Sequence, residues 1–171
     1  MIERNGEHPT VDMSHGDGVI HLRIESMVTA STDDVWDWAT TFAGVNHELM
    51  PYCRMRPPRS LRGRTLESYV PGERAACWLL AGGVIPFDRH LLGLDSMAPG
   101  AGFAEESSSW LQRRWRHERT LRALDDDTGR TLVVDQLTVR PRVRLAVPIT
   151  CRMMAVIFCH RHVRLRARFG E

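Results

Sequence analysis

Residues 105–122 read EESSSWLQRRWRHERTLR, and their alternation predicts a β-hairpin with two different faces. A turn near Gln112 and Arg113 would set four pairs on one face: Trp110 with Trp115, Ser108 with His117, Glu106 with Arg119, and Ala104 with Leu121. The other face carries only Glu, Ser, Arg and Thr, which is typical of a solvent face. We therefore expect the mixed face to point inward. Buried charges are costly unless they pair or meet water, so this face predicts either a lined cavity or a Glu106–Arg119 pair without a ligand.

The length of 171 residues fits one domain with a single core. Residues 1–18 are polar and predict a mobile tail, which leaves residues 19–171 as the domain. The four cysteines have no CxxC spacing, so we expect a reduced, cytoplasmic setting. No stretch has the length and apolarity of a membrane span, so stable membrane insertion is not expected.

The charge is unevenly distributed along the chain. The formal net charge is +2, and all 23 basic residues are arginine. Residues 141–171 hold seven arginines and one acidic residue. This segment is either a patch for an acidic partner or the solvated side of an amphipathic helix. It lacks interleaved aromatic residues, so nucleic acid is not expected as a partner.

The order of predicted elements indicates an α+β fold. Residues 19–28 alternate as a first strand, and Ser31 or Thr32 can cap a helix that starts directly afterwards. Residues 44–50 allow a second short helix before Pro51. Residues 75–85 suit either a helix or a strand and break at Gly82 and Gly83, and residues 87–140 then form an antiparallel meander. The longest helix starts at residue 145 or 148 and ends at 169. We expect a curved antiparallel sheet wrapped around this C-terminal helix, with two short helices after strand 1 and a pocket between the layers.

Several segments resemble a known superfamily. They are STDDVWDW at 31–38, FDRH at 87–90, WRHERTL at 115–121 and VVDQLTVRPR at 133–142. Together with the element order, they resemble the START-like or polyketide cyclase/dehydrase (SRPBCC) superfamily and its helix-grip fold. The resemblance implies binding of lipids, sterols, polyketides or plant metabolites, or cyclase and aromatase activity in some members. It implies no cofactor.

His117, Arg119 and Asp135 are the candidate catalytic residues if the protein is an enzyme. His117 and Arg119 lie two apart and can present an imidazole and a fixed cation to one molecule. In a cyclase or aromatase, His117 would be the general acid or base and Arg119 would stabilise an enolate or carboxylate. Asp135 shares the inward parity of its strand and could orient His117 or pair with Arg119. Equally, these groups and Glu106 could form a satisfied polar network that fixes the register of the sheet.

The first functional hypothesis is a binder or carrier of a small, mostly apolar molecule with one polar or anionic end. Its candidate ligand-binding residues are His90, Glu106, Ser108, Trp110, Trp115, His117, Arg119, Met153 and Ile157. The second hypothesis is the cyclase-type enzyme, and the third is an interaction module that uses the basic terminal helix. A metal is not expected, because His160 and His162 would point to different faces of a helix. A second copy of the chain is a further candidate partner, which would make the protein a homodimer.

Overall fold

Eight antiparallel strands form one sheet in the computed structural model, which describes residues 9–69, 72–124 and 129–170. The strands are β1 (Thr10–Gly16), β2 (Val19–Val28), β3 (Cys53–Arg56), β4 (Arg74–Ala81), β5 (Ile85–Ala98), β6 (Gly102–Ser109), β7 (Gln112–Ala123) and β8 (Thr131–Pro141). The helices are α1 (Thr32–Ala39), α2 (Phe42–Leu49) and α3 (Val147–Phe169). The strands lie in the order β1-β2-β8-β7-β6-β5-β4-β3. The predicted α+β fold, with its curved sheet, two short helices and long terminal helix, is confirmed.

The predicted N-terminal tail differs from the structure over part of its length. Residues 10–16 form β1, which pairs with β2 at the edge of the sheet. Sequence analysis missed this strand because all seven of its residues are exposed, and a strand without a buried face has no strong alternation of apolar and polar residues. The missed signal was the turn, where Asp17 and Gly18 both have a positive φ, as two-residue hairpin turns require. Residues 1–8 lie outside the described part of the chain.

The two short helices close one end of the sheet. Ser31 caps α1 and accepts a hydrogen bond from the backbone N–H of Asp34 at 3.1 Å. Thr41 caps α2 in the same way and accepts from the N–H of Gly44 at 2.9 Å. The second helix therefore begins two residues earlier than predicted and directs Glu48 into the interior, where its side chain is fully buried.

Helix α3 lies across the sheet with one stripe buried. Phe158 and Leu165 from this helix are almost fully buried, and they pack in two clusters with side chains of β2, β7 and β8. Ile149, Met153 and Val156 lie on another side of the same helix, and each is about half exposed or more. None of the described helices is long and apolar enough to cross a membrane.

The β6–β7 hairpin forms, but its register differs from the predicted one. Glu105 lies opposite His117, where the sequence predicted Ser108. The turn falls at Trp110 and Leu111 because Ser109 fixes it. The Ser109 hydroxyl accepts from the N–H of Gln112 at 3.0 Å and donates to the Asp88 carboxylate at 2.6 Å.

The shifted register inverts the faces of β6 alone. Glu105, Ser107 and Ser109 are buried, whereas Glu106 and Ser108 lie on the outer face. The parity predicted for β7 and β8 is confirmed, because His117, Arg119 and Asp135 are all buried.

Candidate ligand-binding site

A cavity of about 400 Å³ lies between α3 and the sheet. This volume falls within the range of small-molecule sites. Most of its wall is apolar, with side chains from both α2 and α3 and from the central strands. Examples are Val45, Leu49, Leu92, Leu94, Met154 and Ile157.

Exposed apolar side chains mark the mouth of the cavity. The lining includes Trp110, Leu111, Val143, Ile149 and Met153, each between 48% and 62% exposed. They come from the β6–β7 turn, from the connection between β8 and α3, and from the start of α3. Large apolar side chains grouped at a surface commonly mark a binding region.

The inner wall of the cavity carries buried polar groups. Glu105, His90, His117 and Tyr69 all line it. One oxygen of Glu105, Oε1, lies 2.6 Å from His90 Nε2 and accepts from the Ser107 hydroxyl at 2.5 Å. The other oxygen, Oε2, lies 3.9 Å from His117 Nδ1, beyond hydrogen-bond distance.

Two polar atoms of the lining lack a hydrogen-bond partner within the described residues. They are the hydroxyl of Tyr69 and the amide oxygen of Gln112. Buried polar atoms of folded proteins are nearly always satisfied, so each such atom is a candidate contact for a bound molecule or water. Burial also raises the pKa of the Tyr69 hydroxyl, which keeps it protonated.

A second layer of charged groups lies behind His117. Asp135 accepts two hydrogen bonds from Arg119, both at 2.7 Å. Arg119 donates two further bonds to Glu48, both at 3.1 Å, and Arg161 donates to the same carboxylate at 3.0 Å. This network joins α2, β7, β8 and α3 through bidentate arginine contacts.

Two histidines complete the contacts of Asp135. The Nε2 atoms of His117 and His162 lie 3.0 and 3.2 Å from its oxygens. Since an ionised carboxylate only accepts, both imidazoles carry a proton on Nε2. The other nitrogen of His162 lies 2.7 Å from the Ser26 hydroxyl, whereas Nδ1 of His117 faces Glu105.

The arginines hold the buried carboxylates in their ionised form. Burial by itself would raise the pKa of Asp135, but Arg119 outweighs it, and the pKa lies well below its ordinary value. The pKa of Glu48 is also lowered, because Arg119 and Arg161 outweigh its burial. For Glu105 the neighbouring His90 outweighs burial and lowers the pKa.

The structure places some of the predicted ligand-binding residues in the cavity and others elsewhere. The predicted residues that line it are His90, Trp110, Trp115, His117, Met153 and Ile157. Arg119 lies behind the wall with its guanidinium shared by two carboxylates. Glu106 and Ser108 lie on the opposite face, so the predicted Glu106–Arg119 pair is wrong. Glu106 instead pairs with Arg114 at 2.7 Å.

Sequence reasoning missed several residues of the site, among them Glu105, Glu48, Arg161 and Tyr69. Glu105 was placed on the solvent face, and only the turn signal of Ser109 could have corrected its parity. Glu48 and Arg161 meet across two helices far apart in the chain, and no local pattern reveals such a pair. Tyr69 lies outside the regular strands, in a segment without periodicity.

The eight-stranded sheet, the two short helices and the long terminal helix around a cavity define a protein with the helix-grip fold. More particularly, the chain belongs to the family described as Domain of unknown function (DUF8410), whose model matches residues 26–169. No curated protein has a significantly similar sequence.

Solved structures share the fold at low sequence identity. Protein CV1439 from Chromobacterium violaceum is 14% identical with a TM-score of 0.66, over 88% of this chain and 98% of that one. A START superfamily protein from Mycobacterium smegmatis is 12% identical with a TM-score of 0.63, over 87% and 96%. The protein Ara h 8.0201 is 12% identical with a TM-score of 0.55, over 86% and 99%. Likeness at this level of identity establishes a common fold.

Proposed function

We propose that this protein binds and carries a small, mostly apolar molecule that buries one polar end against the inner wall of the cavity. The observation that carries the proposal is an apolar cavity lined in part by Tyr69, whose buried hydroxyl has no hydrogen-bond partner among the described residues. An apolar lining supplies affinity, and a few polar atoms fix orientation. The START superfamily protein from Mycobacterium smegmatis has the same fold, which is compatible with this role.

The contacts that we propose for the polar end differ from those predicted from the sequence. The sequence assigned it to His117 and Arg119, but Arg119 is behind the wall. In the revised proposal, the polar end meets His117, Glu105 and Tyr69, and the apolar part lies along Trp115 and other lining side chains. We retain the reduced, cytoplasmic setting as part of the proposal, because all four cysteines are free thiols.

Native mass spectrometry of freshly purified protein, followed by denaturing extraction, tests this function. A stoichiometric organic molecule is expected. Ile157→Trp should fill the cavity and abolish binding, whereas Val163→Trp, on an exposed position of the same helix, should not. Uptake of the neutral dye Nile red provides a second readout. The proposal fails if the wild-type protein is empty and excludes the dye, or if a folded Ile157→Trp variant keeps its ligand.

A cyclase- or aromatase-type enzyme is the second candidate function. His117 favours it, since it lines the cavity while its Nε2 contacts Asp135 at 3.0 Å. A carboxylate that orients an imidazole in this way prepares it for general acid–base catalysis. The enzyme hypothesis expects turnover of a polyketide-like substrate with a pH-dependent rate that His117→Gln abolishes. Unchanged turnover in that variant would exclude His117 as the base.

A further inference from the structure

We propose that the polar end of the ligand is a hydrogen-bond donor, a hydroxyl or an ammonium group, and that Glu105 accepts it. This inference rests on the proposed carrier function and reverses the charge that the sequence suggested for the ligand. An anionic end is disfavoured by the same features. The argument has three independent parts, which concern the donors, the acceptors and the buried charge.

The buried arginines near the cavity are already engaged, and Arg142, also in the lining, is exposed and donates to the Ser109 carbonyl. Arg119 directs two bonds to Asp135 and two to Glu48. Arg161 lines the cavity but donates to Glu48, and its guanidinium lies 4.7 Å from the centre of the Phe158 ring. An anionic ligand would have to compete with buried carboxylates for these arginines, which is unfavourable in a site of low polarity.

The acceptors of the inner wall are open. The Oε2 atom of Glu105 lies 3.9 Å from His117 Nδ1, beyond hydrogen-bond distance. The other oxygen, Oε1, is already engaged by His90 and Ser107. Oε2 is therefore the carboxylate oxygen left to accept a bond from a ligand. The amide oxygen of Gln112, which has no partner in the described part of the chain, is a further acceptor among the lining residues, and the Tyr69 hydroxyl can donate or accept.

The buried charges also favour a donor. The Glu105 carboxylate is buried, and its pKa is lowered because the neighbouring His90 outweighs the effect of burial. A carboxylate ligand would bring a second negative charge next to it. A hydroxyl would hydrogen-bond to Glu105, and an ammonium would be attracted to its charge.

A matched series of ligands tests the inference on the wild-type protein. Decanol, decylamine, decanoate and decyl methyl ether share one chain and differ at the end group. Displacement of Nile red, checked by titration calorimetry, gives their relative affinities. Decanol and decylamine should bind at least about tenfold more tightly than the ether, which cannot donate a hydrogen bond. A hydrogen bond to a charged group contributes at least the free energy that corresponds to a tenfold difference in affinity. Decanoate should bind most weakly.

Variants of two adjacent glutamates identify the acceptor. Glu105→Gln removes the charge but keeps an acceptor, so it should weaken decylamine more than decanol. Glu106→Gln is the control, because its side chain lies on the opposite face of the same strand. Equal affinity for decanol and the ether, or tightest binding of decanoate, would overturn the inference and leave the carrier function standing. If no compound binds and Nile red is excluded, the carrier function itself fails.

Discussion

Replacing Glu48 with glutamine should destabilise the protein more than any surface Glu→Gln change. The carboxylate is fully buried and receives two bonds from Arg119 and one from Arg161 Nε, with a further Arg161 contact at 2.8 Å. The amide keeps the shape but removes the charge that neutralises these cations. Breaking a buried ion pair of this kind costs about 3–5 kcal/mol. That is a large fraction of the roughly 5–15 kcal/mol that stabilises a typical domain.

The expected effect is large enough for thermal and urea unfolding to resolve it. In a domain of this size, about 1 kcal/mol corresponds to roughly 2–4 °C in Tm, so Glu48→Gln should lower Tm by about 6–20 °C. Glu118→Gln is the matched control, because Glu118 pairs with Arg116 at the surface with 39% of its side chain exposed. The control should lose no more than about 1 kcal/mol. If the two variants melt together at pH 7, the buried network does not stabilise the fold as argued.

Three further predictions concern pH, the hairpin turn and the thiols. Folding lowers the pKa of the buried carboxylates, so the folded chain binds fewer protons, and stability should hold near neutral pH and decline as the pH falls below about 5. The loss of stability with falling pH should be smaller in the Glu48→Gln variant than in the wild-type protein. Parallel curves of Tm against pH for the two proteins would contradict this. Ser109→Ala should cost about 1–3 kcal/mol in urea unfolding, because it leaves a buried acceptor unmet, whereas Ser108→Ala on the outer face should stay within about 0.5 kcal/mol. Burial raises the pKa of Cys53 to about 11 and of Cys77 to about 12, so iodoacetamide at pH 8 should modify both only after unfolding, as mass spectrometry can show.

The sequence predicted side-chain orientation best where strongly polar residues alternate with residues of a different character along a strand. In β7, Trp115, His117, Arg119 and Leu121 alternate with strongly polar residues, and their inward parity is confirmed. The same holds for Asp135, which lies among buried aliphatic residues of β8. Its predicted contacts with His117 and Arg119 are both present.

Prediction failed where the deciding contacts are long-range. Residues 105–109 are polar at every position, so periodicity cannot select a face for β6. Its register depends on Asp88, which lies 21 residues away from Ser109. Arg119 was correctly placed inside, but its role depends on Glu48, which is 71 residues away along the chain. A local pattern can show that a charge is buried, but it cannot show which group neutralises it.

The sequence of β6 also bears on how this site can change through evolution. Residues 105–109 read Glu-Glu-Ser-Ser-Ser, so sliding the strand by one position would put Glu106 in place of Glu105 and Ser108 in place of Ser107. Among the inward positions, only the two ends would change in character, since Ala104 would replace Phe103 and Trp110 would replace Ser109. An insertion or deletion in the Trp110–Leu111 turn could therefore preserve the carboxylate of the inner wall. This repeated run gives the site a tolerance to length variation that a strictly alternating strand would not have.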